Sequence, residues 1–119
     1  MSKTVSVYKG NQLIVEEAVL ADTFFNRLFG LLPTKALDEN NGIILVPCRQ
    51  IHTFHMKYSI DAVFLAENNT IIHIEHNLVP NRTTKYLKKA RSVLEIKGGT
   101  AEKYALTVGD ALEIGMFVK

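Results

Sequence analysis

The apolar and β-branched residues of this chain come in eight short runs separated by turn residues: TVSVY (4–8), QLIVEEAVLA (12–21), GIILVP (42–47), CRQIHTFHM (48–56), IDAVFLA (60–66), TIIHIEH (70–76), SVLEIK (92–97) and ALEIGMFV (111–118). The first two flank Lys9-Gly10-Asn11, a tripeptide suited to a tight turn, and predict a hairpin. IDAVFLA and TIIHIEH flank Glu67-Asn68-Asn69, where asparagine tolerates the positive φ of a hairpin turn. GIILVP has the uninterrupted apolar character of a buried strand. The period changes to that of a helix twice. Asp22 or Thr23 can cap a helix in which Phe24, Leu28 and Leu31 or Leu32 form a packing stripe, ending near Gly30 and before Pro33; Thr100 can cap a short helix over AEKYAL. The expected fold is mostly β, or α+β: a compact barrel-like or strongly bent sheet of six to eight short strands with two short helices. Short strands must hide their edges, and closure does so.

Composition fits that expectation. A chain of 119 residues with 47% hydrophobic and 22% charged residues is that of an ordinary globular protein, most simply one domain over residues 1–119. Cys48 is the only cysteine, so no intramolecular disulfide is available. No apolar run approaches the ~20 residues of a spanning helix. The opening MSKTVSVYKGNQ has neither the apolar core nor the small-residue cleavage site of an export signal, so a cytoplasmic location and no membrane partner are expected. The net charge is only +2, but NRTTKYLKKAR (81–91) carries Arg82, Lys85, Lys88, Lys89 and Arg91 with no acid. That segment reads either as a patch for phosphate or nucleic acid or as a solvated loop. Tyr86 alone offers a ring for base stacking, so the solvated loop is preferred and nucleic acid is not expected as a partner.

The stretch CRQIHTFHMKYSIDAVFL (48–65) concentrates the polar chemistry. On a helix His52 and His55 would share a face and could chelate zinc or copper. The high β propensity of Ile51, Thr53 and Phe54 favours a strand instead, with Cys48, Gln50, His52, Phe54 and Met56 on one face and His55 on the other. No metal site is therefore expected. Cys48 and His52 would lie roughly 13 Å apart along such a strand, too far for a nucleophile and its base. If KYSI closes a hairpin that sets Met56 against Asp61, His52 and Asp61 fall at opposite ends of one face. Glu95, inside SVLEI, is read as pairing with Arg91 or Lys97 or facing water.

The combination of RLFGLL, CRQIHTFHMKYSIDAVFL and ARSVLEIKGGTAEKYALTVGDALEI resembles domain of unknown function family 192, a family of small prokaryotic proteins, from about Arg27 to Leu112. Arg27, Gly30, Cys48, His52, Thr53, Met56, Asp61, Arg91, Glu95, Gly109 and Asp110 occupy the positions of the family's motifs. His55 stands where glycine is expected and Ser59 where proline is common. The resemblance implies a β-rich domain and no established activity.

Taken together, these residues suggest a small accessory or binding domain with a pocket or groove lined by His52, Asp61, Arg91 and Glu95, polar residues embedded among apolar ones, for a small polar ligand or a peptide. No cofactor is expected. One alternative is a hydrolase-type enzyme using His52 with a carboxylate; another is a basic surface module that binds nucleic acid or an acidic partner through residues 82–91. A structural, hydrogen-bonded His52 would cost ~1–3 kcal/mol on replacement by alanine. Asp61→Asn and Glu95→Gln are expected to perturb folding less.

Overall fold

The computed structural model describes residues 3–21, 37–54 and 56–115. Seven strands form one sheet: β1 (Lys3–Lys9), β2 (Gln12–Ala21), β3 (Asn41–Leu45), β4 (Ile60–Leu65), β5 (Ile71–Leu78), β6 (Ser92–Lys97) and β7 (Glu113–Gly115), in the spatial order β5-β4-β6-β3-β2-β1-β7. All neighbours are antiparallel except β2 and β3. The two expected hairpins form, with Gly10 at φ 60° in the first turn and Asn69 at φ 65° in the second. One short helix, α1 (Thr100–Lys103), is present among the described residues. The other expected helix, with Arg27 and Gly30, lies outside them.

The sheet curls into a half-barrel whose two edge regions touch. Ile71 donates its N–H to Asp110 O at 2.8 Å and accepts from Gly109 N–H at 2.8 Å, and Leu112 N–H reaches Asn69 O at 3.0 Å. Thus the start of β5, at one edge, is tied to the segment leading into β7, at the other. Curling explains the core. One buried cluster draws on Val7, Val15, Ile44, Val63, Ile71, Leu94 and Ile96, residues of six strands that a flat sheet would keep apart. The opposite face carries Ile43, Leu45, Ile60, Ala62, Phe64 and Val93, covered by Leu37, Ile51 and Ala90 from outside the strands.

The expected hairpin between residues 48–56 and β4 does not form. β4 is flanked on both sides, by β5 and β6, and has no edge to offer. Residues 49–53 pair instead with 81–87: Thr53 N–H to Arg82 O at 2.8 Å, Thr84 N–H to Ile51 O at 3.0 Å, Leu87 N–H to Arg49 O at 2.9 Å, with His52 opposite Thr83. The result is an irregular two-stranded ribbon. The alternation read from the sequence is preserved in it: Ile51 and Thr53 are buried, Gln50, His52 and Phe54 exposed. His55 lies outside the described residues.

Candidate functional site

The four residues expected to line one pocket do not share a concavity. Asp61 sits in β4 opposite Ile96, on the same face as Val63 and Leu65 and fully buried. Glu95 sits in β6 opposite Ala62 and so points from the other face of the sheet. His52 and Arg91 are exposed. The sequence could place Asp61 and Glu95 in strands, but their relative face depends on the β4–β6 register, a pairing between segments some thirty residues apart.

The Asp61 carboxylate is a structural acceptor. Oδ1 accepts Asn77 N–H at 2.8 Å, and Oδ2 accepts Gly99 N–H at 3.1 Å and Ala101 N–H at 2.8 Å. Gly99, at φ 95°, adopts a backbone conformation that side chains resist and brings these donors round to β4. Thr100 makes no side-chain cap bond; α1 is capped from a distant strand by Asp61.

Glu95 has the opposite environment. It is 3% exposed, its carboxyl takes part in no hydrogen bond or ion pair among the described residues, and burial pushes that carboxyl up to about 8. The expected pairing with Arg91 or Lys97 is absent from the described contacts; Arg91 and Lys97 lie in solvent. Tyr58, packed against the same buried cluster, has a buried hydroxyl with no partner among the described residues; burial first, then the charge of Glu95, pushes its pKa up and makes it a weaker acid. Because Ala62 pairs with both Glu95 and Glu75, a row Glu95-Ala62-Glu75 crosses this face. In the next row His73 faces Phe64, their rings 5.6 Å apart.

His73 Nε2 lies 2.6 Å from Glu75 Oε2. This is the histidine–carboxylate pair that the hydrolase alternative assigned to His52, and sequence reading missed it. The signal was present: in TIIHIEH, His73 and Glu75 are two apart in a strand and must share a face. His52 has no carboxylate partner among the described residues. Its Nδ1 accepts Phe54 N–H at 3.3 Å and its ring stacks on Phe54, centroids 4.7 Å apart and 22° between planes. Because Nδ1 accepts, the neutral ring carries its proton on Nε2. Cys48 is half-buried and its Sγ donates to Gln50 O at 3.3 Å, while Met56 packs against the core. Among the described residues no group of three or more His, Cys, Asp or Glu is placed to hold a metal ion.

The ribbon brings together two segments that carry no acid at all. Residues 46–60 hold Arg49 and Lys57; residues 77–94 hold Arg82, Lys85, Lys88, Lys89 and Arg91. These are seven of the chain's 14 Lys and Arg, every one exposed and none in an ion pair among the described residues. The remainder of the chain is therefore net negative. Two buried threonines hold the ribbon: Thr53 Oγ1 donates to Val79 O at 2.7 Å and accepts Arg82 N–H at 2.9 Å, and Thr84 Oγ1 accepts Ile51 N–H at 3.1 Å. Cation–cation repulsion across the ribbon opposes folding, so ribbon pairing and the apolar contacts of Ile51 and Leu87 must offset it.

A family model covers residues 5–114, and its description is "Uncharacterized ACR". This chain belongs to domain of unknown function family 192. Two solved structures are similar to this family member. One, a protein of unknown function from Novosphingobium aromaticivorans DSM 12444, is 24% identical with a TM-score of 0.81, covering 94% of this chain and 84% of that one. The other, a putative transcription regulator from Sinorhizobium meliloti 1021, is 21% identical with a TM-score of 0.78, covering 96% and 94%. Both show the half-barrel fold. Comparison with curated proteins finds no match. Among the described residues no helix is long and apolar enough to cross a membrane.

Proposed function

We propose that this member of the family is a small binding module whose basic ribbon, residues 49–54 and 81–91, engages the phosphate backbone of a nucleic acid. The observation that carries the reading is the pairing of two acid-free segments, which gathers six of the chain's 14 Lys and Arg on one exposed ribbon with no carboxylate of its own to neutralise them. The segment 82–91 read alone is a solvated loop. Paired with 49–54 it gains Arg49, His52 and Phe54, and becomes an electrostatic footprint on a hydrogen-bonded frame. His52 and Arg91, expected in a pocket, belong to this face. The similar Sinorhizobium meliloti protein is described as a putative transcription regulator, which is compatible with the same use of the fold.

Binding by released counterions gives log affinity a slope of about −0.9 per phosphate contact against log salt on duplex DNA. Titration of a labelled duplex into the protein between 50 and 200 mM salt is expected to give a slope of several units. Replacing Lys85, Lys88 and Lys89 with Gln should reduce its magnitude by about 2 to 3. Undetectable binding to any polyanion at low salt, or binding insensitive to salt, overturns the reading.

A second reading, a small polar ligand held at Glu95, is favoured by one specific observation: the Tyr58 hydroxyl is buried without a hydrogen-bond partner among the described residues, close enough to the buried Glu95 carboxyl to feel its charge. Asp61 has no part in that reading, since backbone N–H groups already occupy both of its oxygens.

A further inference from the structure

Large apolar side chains are costly to leave in water, and where they collect they mark contact surfaces. Among the described residues five large hydrophobic side chains are exposed, and three of them, Phe54 at 43%, Val79 at 43% and Tyr86 at 63%, fall in the two acid-free segments that form or flank the ribbon. Phe54 is also held in place. Its own N–H is bonded to His52 Nδ1 and its ring stacks on the His52 ring, so its orientation is fixed before any partner arrives. Tyr86 stands between Lys85 and the Leu87-Lys88-Lys89 turn, and Leu87 N–H anchors that strand to Arg49 O at 2.9 Å.

Cations alone do not distinguish one polyanion from another. Exposed rings interleaved with them do. In duplex DNA the base faces are already stacked within the helix and have nothing to offer Phe54 or Tyr86, whereas a single strand presents free π-faces beside its phosphates. An acidic protein segment would satisfy the cations and leave both rings in water.

We infer that the ribbon is a single-strand nucleic-acid platform, on which unpaired bases stack against Phe54 and Tyr86 while Arg49, Arg82, Lys85, Lys88 and Lys89 contact the intervening phosphates. The inference rests on the polyanion reading above and goes beyond it by naming the strand state. Ribose and deoxyribose strands share this chemistry; parallel titration of both forms of one sequence distinguishes them.

The test is fluorescence anisotropy at fixed low salt with three labelled probes: a mixed-sequence 12-nucleotide single strand, the duplex formed with its complement, and polyglutamate. The parent protein should bind the single strand at least several-fold more tightly than the duplex. Phe54→Ala and Tyr86→Ala should each weaken single-strand binding about 5- to 150-fold, the range that one lost base stack gives, and leave duplex binding unchanged. Phe54→Tyr and Tyr86→Phe should retain it, and unchanged thermal midpoints should show that the alanine variants are folded. Lys85→Gln with Lys88→Gln and Lys89→Gln should weaken both ligands alike. Equal affinity for the two strand states, or aromatic variants without effect, overturns the single-strand inference and leaves the polyanion reading standing. Binding of labelled polyglutamate with no binding of either nucleic acid overturns the inference in favour of an acidic protein partner. Binding of none of the three overturns both.

Discussion

Asp61 and Glu95 lie on neighbouring strands, both almost fully buried and on opposite faces of one sheet, yet they are different chemical objects. Asp61 receives three backbone N–H groups, and through them links β4, the end of β5 and the start of α1. Glu95 receives none among the described residues, and its carboxyl holds its proton up to about pH 8. Burial depth is nearly the same, so burial alone says little about what an acid does. The difference lies in whether the surrounding backbone has donors to spare, as it does at the Gly99 turn and does not in the interior of β6, where N–H groups are committed to β3 and β4.

The largest expected effect is at Asp61. Asp61→Ala leaves three N–H groups without their carboxylate and should cost about 4–5 kcal/mol, with Asp61→Asn intermediate because its amide nitrogen would face donors. Urea midpoints at unchanged slope measure this. A loss below about 1 kcal/mol for Asp61→Ala would break the contrast. This ordering is opposite to the expectation formed from sequence, that Asp61→Asn perturbs folding less than His52→Ala.

Glu95 should respond in the opposite sense, and with pH. Its folded carboxyl titrates near 8 while the unfolded one titrates near the ordinary carboxylate value of 4.5. Below about pH 4.5 both states are protonated and the residue is neutral in its effect. Between there and about pH 8 the unfolded chain releases its proton while the folded chain keeps it, so stability falls as pH rises, and the loss is complete above 8. Full transfer of the shift would amount to about 5 kcal/mol; relaxation of the site should reduce it to about 2–3. Glu95→Gln, isosteric and uncharged, should remove that slope, matching the parent near pH 5 and exceeding it by this margin at pH 9. A parent whose stability is flat from pH 5 to 9 sinks the assignment.

The smallest effect should be at His52. It is exposed and, among the described residues, its ring is hydrogen-bonded only to Phe54 N–H, so His52→Ala should change stability by under about 0.5 kcal/mol, in place of the ~1–3 expected of a structural imidazole. Its loss should instead loosen Phe54 and weaken single-strand binding. A loss of more than 1 kcal/mol would place His52 with Asp61 among the structural residues.

How much of this was legible in the sequence follows distance along the chain. The hairpins at Gly10 and Asn69, the strands and the exposed alternation of Gln50, His52 and Phe54 rest on local propensity and period, and the sequence carries them. What it does not carry is pairing between remote segments. Residues 49–53 could be recognised as extended, but that β4 would have both edges occupied, sending them to 81–87, depends on the whole sheet. The same holds for the cap on α1, supplied by Asp61 from nearly forty residues away. His73 and Glu75 mark the limit from the other side: their shared face follows from the two-residue period of a strand, a purely local signal.

The order of strands in space also sets when the protein can be finished. β7, the last of the described strands along the chain, pairs with β1, the first of them, through Ser6–Gly115, Val7–Ile114 and Tyr8–Glu113, and the segment before it ties to Ile71. During synthesis β1 and β2 can form their hairpin early, but one edge of β1 stays open until nearly the whole described chain has emerged. Such end-to-end pairing predicts slow, late completion and a nascent chain exposed to strand-edge aggregation, so truncation before Glu113 should leave a sheet that has its ribbon but cannot shield its own first strand.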